Sequence, residues 1–342
     1  VSSRSRRDHA GSGSRGRAAG VRRGSGRAAA DPGSPGSPGP LRWPGSARAD
    51  RSDTCAPRAC AGPAIPETKT DTSFAFSCNP SNKESVNKAV EGIDSIIHLA
   101  AIIPPLSEER PELAKRVNIE GTHNLIDAAK TLVKKPRFIL ASSASVYGIT
   151  MHLKPPVTVD SPLDPSDSYS TTKVECEKIV KQSGLPWIIL RLAAVSVEKI
   201  PLKFDNLLFE MPLEQRIEFV SSRDCGIAFA NSVTIDEINK IFLIGGGEDC
   251  QFLERDFLKG FFDALGLKML PEKAFKVAKE KEDWFYIDWM DTKDSQEVLR
   301  FQTETFQQFV NRVKHDYRLR RFGMKVITPL VKLILLRMSP YY

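Results

Sequence analysis

The most informative stretch of this 342-residue chain reads Lys134-Lys-Pro-Arg-Phe-Ile-Leu-Ala141. Within it, a short and mostly apolar run, Arg137–Ala141, follows residues that favour a turn. Two other runs, Ser95–Leu99 and Trp187–Leu192, have the same form and also follow turn-forming residues. Continuous apolar runs of this length are typical of strands buried on both faces of a parallel sheet. The three runs therefore predict three parallel strands.

Helical patterns lie between these runs, at Glu108–Lys130 and Ser170–Gln182. Strands that alternate with helices in this way predict a doubly wound α/β fold. Farther along the chain come a short strand at Ile241–Ile244 and helices at about Glu254–Leu265 and Thr305–Lys314. These later elements predict a smaller lobe of mixed α/β structure.

Composition divides the chain into four segments. Residues 1–71 are rich in Arg, Gly, Ser and Pro, and we expect them to be disordered because they offer little apolar surface to bury. An RNA-binding arm, an organelle transit peptide and sequence foreign to the mature protein are three interpretations that stay open for this segment. Residues 72–195 hold the predicted parallel sheet, residues 196–316 the smaller lobe, and residues 317–342 a basic tail.

Charge and cysteine content argue against several classes of protein. Residues 1–60 carry +8, against +7 for the whole chain, so the rest is close to neutral and we expect no nucleic-acid partner. The six cysteines include no CxxC pair and thus indicate neither a zinc site nor a disulfide scaffold. No apolar run reaches the roughly 18 residues of a conventional membrane span. We expect a cytoplasmic protein.

Residues that could carry chemistry follow the second predicted strand. Ser143 lies just past Arg137–Ala141, at the end of the strand where open parallel sheets bind ligands. Tyr169 and Lys173 stand at i and i+4 of a predicted helix and thus share one helical face. A neighbouring ammonium group lowers the pKa of a phenol from about 10 and favours the phenolate. Tyr169 could then exchange a proton with a substrate oxygen, to which Ser143 would also hydrogen-bond.

Four motifs around these residues occur in the order found in a known enzyme family. They are Val117-Asn-Ile-Glu-Gly-Thr122, Ala141-Ser-Ser-Ala-Ser-Val-Tyr-Gly148, Asp167-Ser-Tyr-Ser-Thr-Thr-Lys173 and Gly184-Leu-Pro-Trp-Ile-Ile-Leu-Arg191. They resemble the extended short-chain dehydrogenase/reductase family, in its NAD-dependent epimerase/dehydratase branch that acts on nucleotide sugars. The resemblance implies a Rossmann-like sheet that binds NAD or NADP, and a substrate lobe for a nucleotide sugar or a similar hydroxyl or carbonyl compound.

The resemblance also implies roles for individual residues, with no metal among them. The catalytic residues would be Ser143, Tyr169, Lys173 and Asn118. The cofactor contacts would be Asn79, Leu99, Ala100, Ala101, Ser142, Tyr169 and Lys173. The substrate would contact Ser143 and Arg216, which lies near the family's phosphate-binding arginine. The helices that bear Asn118 and Tyr169 would form a homodimer interface, whereas we expect His98, at a strand end, to be a packed residue.

One element of the family is missing. The family fold opens with a strand, a G-x-x-G-x-x-G turn and a helix, which together bind the cofactor pyrophosphate. Upstream of Ser95 we find no such unit, and Ser73–Val86 resembles the third strand and its turn, with Cys78 in place of glycine and Asn79 in place of aspartate. We therefore expect Ser95–Leu99 to be an exposed sheet edge. Two alternatives stay open: an enzyme whose full-length form binds NAD(P), and a catalytically inactive, truncated remnant.

The C-terminal residues 317–342 mix apolar residues with basic ones and predict a basic amphipathic helix. Such a helix can lie on an anionic membrane surface. Alternatively, its apolar face packs against the lobe or a dimer partner, and Pro329 would break the helix in either case.

Overall fold

The computed structural model describes residues 78–196 and 207–342, which form two sheets. Their strands are β1 (Ser95–His98), β2 (Arg137–Ser143), β3 (Trp187–Leu192), β4 (Ala194–Ser196), β5 (Arg216–Ser221), β6 (Lys240–Ile244) and β7 (Gln251–Leu253). The main sheet has the order β1-β2-β3-β6, and every neighbouring pair is parallel. The three predicted parallel strands are therefore confirmed.

β6 corrects the prediction for Ile241–Ile244, which placed this strand in the smaller lobe. β6 extends the main sheet beside β3, with Phe242 opposite Leu190 and Ile244 opposite Leu192. Phe242, Leu243 and Ile244 are all fully buried. A strand whose successive side chains are all apolar fits a sheet that is covered on both faces, and β6 finds this environment beside β3.

Helices cover both faces of the main sheet. The α-helices of the described residues are α1 (Lys83–Ala89), α2 (Leu106–Glu109), α3 (Pro111–Ala114), α4 (Gly121–Thr131), α5 (Ser168–Lys181), α6 (Leu207–Glu210), α7 (Ser222–Asn231), α8 (Glu254–Leu265), α9 (Lys293–Leu299), α10 (Phe306–Asp316) and α11 (Arg318–Met338). α1, α4 and α5 pack on one face, where Val180 belongs to the same cluster as Phe138 and Leu140. α7 and α9 pack on the other face, where Phe229 clusters with Ile139. The alternation of Phe138, Ile139 and Leu140 follows the two-residue period of a strand.

The predicted helix Glu108–Lys130 is interrupted in the structure. The backbone leaves the helical region at Arg110, with φ −134° and ψ 67°, and Pro111 begins α3 at a position that needs no N–H. A π-helical segment, Lys115–Glu120, then leads into α4. Such segments are frequent at functional sites, and this one contains Asn118.

The smaller lobe is built on the second sheet, in which β4 is parallel to β5 and β7 is antiparallel to it. α8, α10 and α11 enclose an aromatic core beside this sheet. The Phe219 ring lies 4.8 Å from the Phe309 ring and 5.4 Å from the Phe306 ring, measured between centroids. Aromatic pairs at such distances add stability beyond the area that they bury.

The edge of the main sheet lies at β1 within the part of the chain that the structure describes. Ile97 and Leu99 are 40% and 57% exposed there, whereas Ile96 and His98 are buried, so the exposed edge expected at Ser95–Leu99 stays a prediction. The segment expected to be disordered, residues 1–71, and the strand-like residues 73–77 lie outside the described residues.

Candidate active site

Ser143 and Tyr169 meet at the carboxyl end of β2. Ser143 ends the strand, and its Oγ accepts hydrogen bonds from the Ser145 backbone N at 3.1 Å and from the Ser145 hydroxyl at 2.9 Å. The Ser143 side chain also lies near enough to the Tyr169 phenol to lower its pKa. Because Oγ accepts twice, its own proton remains available for a third oxygen.

Lys173 lies one helical turn after Tyr169 in α5 and is buried. Its Nζ donates to the Ala141 carbonyl oxygen at 2.7 Å and lies 5.6 Å from the centroid of the Tyr169 ring. α5 begins at a defined residue because Asp167 and Ser170 form a reciprocal capping box. Tyr169 and Lys173 therefore share one helical face, as the spacing predicted, and this face points at β2.

Burial dominates the protonation of Tyr169. It raises the pKa of the Tyr169 phenol to about 12, and the Ser143 hydroxyl only partly opposes this effect. Burial also lowers the pKa of the Lys173 ammonium group. The expectation that Lys173 favours the phenolate is therefore not met here. Tyr169 is a neutral phenol at pH 7 and can donate a proton.

Asn118 is buried and connects the loop after β1 to α5. Its Oδ1 accepts from the Ile102 backbone N at 2.7 Å, and its Nδ2 donates to the Ile102 carbonyl oxygen at 3.1 Å. The same Nδ2 donates to Thr172 Oγ1 at 2.9 Å. Since Thr172 precedes Lys173, Asn118 helps to set the position of both the loop and α5.

The loop after β1 holds the predicted cofactor contacts Leu99, Ala100 and Ala101. Leu99 and Ala100 are exposed at the carboxyl end of the sheet, where a ligand can reach them. Asn79 is exposed too, but its Oδ1 accepts from the Ser81 backbone N at 3.0 Å in the turn before α1.

A buried ionic network behind the site was missed in the sequence. Arg191 donates to the two carboxylate oxygens of Glu177 at 2.7 and 2.9 Å and to the Tyr147 hydroxyl at 2.6 Å. Ser142 Oγ, predicted to contact the cofactor, instead donates to Glu177 at 2.7 Å. Although burial opposes it, Arg191 holds the pKa of Glu177 below its usual value. The sequence did offer one indication of this network, namely Arg191 itself, since a charged residue in a buried strand needs a partner.

Arg216, the predicted phosphate ligand, is paired with Asp288. Its Nε and Nη2 donate to the two carboxylate oxygens at 2.6 and 2.7 Å. Nη2 also donates to the backbone carbonyl groups of Thr150 and Leu153. A substrate phosphate at this position would compete with the bidentate carboxylate for the same donors.

His98 is packed, as expected. It is buried, with its ring edge-on to Phe138 at 6.0 Å and its Nε2 3.0 Å from Thr122 Oγ1. Because the Thr122 hydroxyl donates to the Asn118 carbonyl oxygen at 2.6 Å, we assign His98 Nε2 as the donor to Thr122. Burial first, and then Lys173, lower the pKa of His98 to about 4.

The site fits the nicotinamide end of a dinucleotide cofactor. Tyr169, Lys173 and the loop Leu99–Ala101, in which Leu99 and Ala100 are exposed, lie at the carboxyl ends of parallel strands, which is where open α/β sheets bind ligands. Within residues 78–196 and 207–342, no group of His, Cys, Asp and Glu side chains could hold a metal ion.

The pyrophosphate end has no equivalent among the described residues. They contain no G-x-x-G-x-x-G stretch, and two of the three glycines after β6 have their N–H groups in use: Gly246 donates to the Phe219 carbonyl and Gly247 to Glu218. Outside this part of the chain, Gly33–Gly39 has the family spacing, but it contains two prolines, which lack N–H donors.

Sequence comparison identifies one family. Residues 49–205 match the model of the NAD dependent epimerase/dehydratase family. D-erythronate dehydrogenase of Haemophilus influenzae is 30% identical over 112 residues, which are 31% of this chain and 35% of that protein. UDP-glucose 4-epimerase of Lactobacillus helveticus is 35% identical over 106 residues, 30% of this chain and 31% of that protein. The aligned region thus spans about a third of each relative.

Structural comparison supports the fold. The structure of RMD from Pseudomonas aeruginosa complexed with NADPH superposes with a TM-score of 0.59 at 16% identity, covering 71% of this chain and 88% of that chain. At this identity the likeness concerns the fold alone. It confirms the predicted doubly wound, Rossmann-like parallel sheet with a second, mixed sheet.

Proposed function

Because residues 49–205 match the model of the NAD dependent epimerase/dehydratase family, we propose that the chain is a nicotinamide-dependent oxidoreductase or isomerase. Its substrate carries a hydroxyl or carbonyl group, and we propose a nucleotide sugar or a similar small molecule. One observation carries this proposal: the Tyr169 phenol lies near enough to the Ser143 side chain for that hydroxyl to lower its pKa, and Tyr169 shares a helical face with Lys173 at the ligand-binding end of the sheet.

Tyr169 would hold the proton that the substrate oxygen gains or loses. When bound, a nicotinamide supplies or accepts the hydride at the substrate carbon, which no side chain can do. In carbonyl reduction, the neutral Tyr169 phenol donates its proton to the substrate oxygen. In alcohol oxidation the phenolate must form first, and the Ser143 hydroxyl favours it. Tyr169 is thus an acid in one direction and a base in the other.

Ser143, Lys173 and Asn118 would support this proton transfer in different ways. Ser143 Oγ already accepts two hydrogen bonds, so its one proton would go to the substrate oxygen in carbonyl reduction and to the Tyr169 phenolate in alcohol oxidation. Lys173 is anchored on the Ala141 carbonyl, with its Nζ 5.6 Å from the centroid of the Tyr169 ring, and would hold that ring in position. Asn118 would keep the loop after β1 at a constant distance from α5.

The relatives support a substrate class rather than one compound. They are named for erythronate and for UDP-glucose, so their names differ in the molecule that they act on. A nucleotide sugar would bring a phosphate that Arg216 could bind, provided that Arg216 gives up part of its pairing with Asp288. A substrate without phosphate would leave that ion pair intact.

The cofactor would bind weakly to the 342-residue chain. The described residues offer no glycine-rich turn for the pyrophosphate, which would lose most of its hydrogen-bond donors. The same observation favours the alternative that the chain is a catalytically inactive member of its family. The two proposals differ in whether Tyr169, Ser143 and Lys173 support turnover once a pyrophosphate-binding segment is added to the chain.

Calorimetry with NAD and NADP separates these proposals. We expect the 342-residue chain to bind more weakly than about 1 mM, near the lower limit of specific binding. A chain joined to the first strand, turn and helix of a family member should bind in the micromolar range and oxidise or reduce sugar-nucleotide probes such as UDP-glucose. Micromolar binding by the 342-residue chain would refute the weak-binding proposal. A joined chain that binds cofactor but turns over no hydroxyl or carbonyl probe would favour the inactive alternative.

A further inference from the structure

α11 packs against the smaller lobe through only one of its faces. Leu335 is buried in the lobe core, and Met324 and Val331 pack at its border. The Thr328 hydroxyl donates to the Gly266 carbonyl at 3.3 Å, and Arg321 donates to the Asp263 carboxylate at 3.1 Å. These residues recur at three- and four-residue steps, so they form one stripe along the helix. The packing alternative raised by the sequence is therefore correct for this stripe.

The opposite face of α11 is also apolar, and it is exposed. Its stripe, which we call the outer face, consists of Leu319, Phe322, Val326, Leu330 and Leu333. Their exposed fractions run from 48% to 81%. Five large apolar side chains in one row are more than the scattered exposure that a soluble surface normally shows. Packing against the lobe therefore does not explain why this face is apolar.

The charges of the tail are all of one sign. Residues 317–342 contain six Lys and Arg residues and no Asp or Glu. Arg318, Lys325 and Lys332 follow one another at seven-residue intervals and thus form a basic row along one border of the outer face. Arg321 is different, since it is used in the ion pair with Asp263 on the lobe side.

We propose that the outer face of α11 docks flat on an anionic lipid bilayer. An apolar stripe bordered by basic residues suits the boundary between headgroups and acyl chains, with the basic row on the anionic headgroups. The expectation that Pro329 breaks the helix is wrong: α11 continues through it over 21 residues and would lie about 30 Å along the surface. No helix among the described residues has the length and apolarity to cross a bilayer, so the contact is peripheral.

A second copy of the chain is a poorer occupant of the outer face. Pairing two copies through it would bring together two helices that carry basic residues and no acidic ones, and like charges repel. A bilayer with acidic lipids offers both the apolar layer and the opposite charge. The lobe keeps α11 in place at its far end, where the Ser339 hydroxyl donates to the Ala274 carbonyl at 2.6 Å.

Vesicle flotation of the full chain tests this proposal. We would use phosphatidylcholine vesicles with and without about one third phosphatidylserine, in salt of about 0.1 M and about 1 M. The variant Phe322→Gln with Leu330→Gln removes apolar area from the outer face, and Val133→Gln is the control at an exposed valine outside α11. Both variants replace exposed side chains, and matching thermal melts would show that each remains folded.

We expect the wild-type chain and Val133→Gln to float only with the acidic vesicles, and to be released at high salt. The double variant should bind at least about tenfold more weakly, because two apolar side chains no longer leave water. Equal flotation of the double variant, or no flotation of the wild type, would overturn the proposal. A wild-type dimer that becomes monomeric in the double variant, without vesicle binding, would assign the face to a second copy instead.

Discussion

Glu108 holds the backbone of Tyr169: its Oε1 accepts a hydrogen bond from the Tyr169 backbone N at 3.1 Å. Its second oxygen, Oε2, accepts from the Ser168 backbone N at 3.0 Å. Both N–H groups belong to the first turn of α5, where no carbonyl of the helix can accept them. A carboxylate at this end is also favoured by the helix dipole. A residue of α2 thus fixes the start of the helix that carries Tyr169 and Lys173.

Glu108→Ala should lower the free energy of unfolding by about 1 to 2 kcal/mol, because two backbone donors lose a charged acceptor. Urea unfolding measures this change. Glu109→Ala is the matched control, since Glu109 is an exposed neighbour in the same short helix. A loss no greater than that of the control would show that the two hydrogen bonds do not stabilise α5.

Tyr169→Phe should lower kcat by a factor on the order of 10² to 10⁴ in a cofactor-binding form of the chain, because the substrate oxygen loses its proton donor. Initial rates with a nicotinamide-linked assay measure this loss. Tyr317→Phe removes a hydroxyl before α11, in the other lobe, and should leave turnover unchanged. Unchanged turnover in Tyr169→Phe would exclude the acid/base role.

Glu177→Gln should destabilise the protein by about 3 to 5 kcal/mol, because it leaves the buried Arg191 guanidinium without its charged partner. Glu84→Gln makes the same change in an exposed ion pair with Lys88 and should cost less than about 1 kcal/mol. Both values follow from denaturant unfolding at pH 7. A similar loss of unfolding free energy in the two variants would mean that burial does not increase the contribution of the Glu177–Arg191 pair to stability.

The stability of the protein should fall as the pH is lowered from about 6.5 to about 4, partly because of His98. Burial lowers the pKa of folded His98 to about 4 from 6.5, so across this range the unfolded chain binds a proton that the folded chain does not. Stability therefore rises with pH through this window, and the full effect is about 3 kcal/mol.

His98→Gln should reduce this acid-side loss, since the amide can still donate to Thr122 and does not titrate. Unfolding free energies at pH 4.5 and pH 7 measure the change. His123→Gln, at an exposed histidine, is the control and should keep the wild-type slope. A His98→Gln variant whose slope matches the wild type would show that another group causes the pH dependence.

Local patterns in the sequence were sufficient to predict β1, β2 and β3 and the shared helical face of Tyr169 and Lys173. The apolar runs of β2 and β3 are continuous because both faces of the sheet are covered, and this condition is visible in the residues themselves. The i to i+4 spacing of Tyr169 and Lys173 places them on one face of any α-helix. Such features depend only on backbone periodicity, so they could be predicted without knowing which distant segments each element contacts.

Contacts between distant segments could not be predicted in this way. The short apolar run of β6 could pair with a strand of either sheet. Its place beside β3 is decided by the strand edge that the folded chain brings next to it. No local pattern indicates the partners of Glu108 and Glu177. Glu108 accepts a hydrogen bond from Tyr169, 61 residues along the chain, and Glu177 in α5 pairs with Arg191 in β3. The sequence predicted a single amphipathic helix in residues 317–342 and did not distinguish the two apolar faces of α11. Only packing on the lobe decided which stripe was buried and which was left for water, because burial depends on the surface that a helix meets.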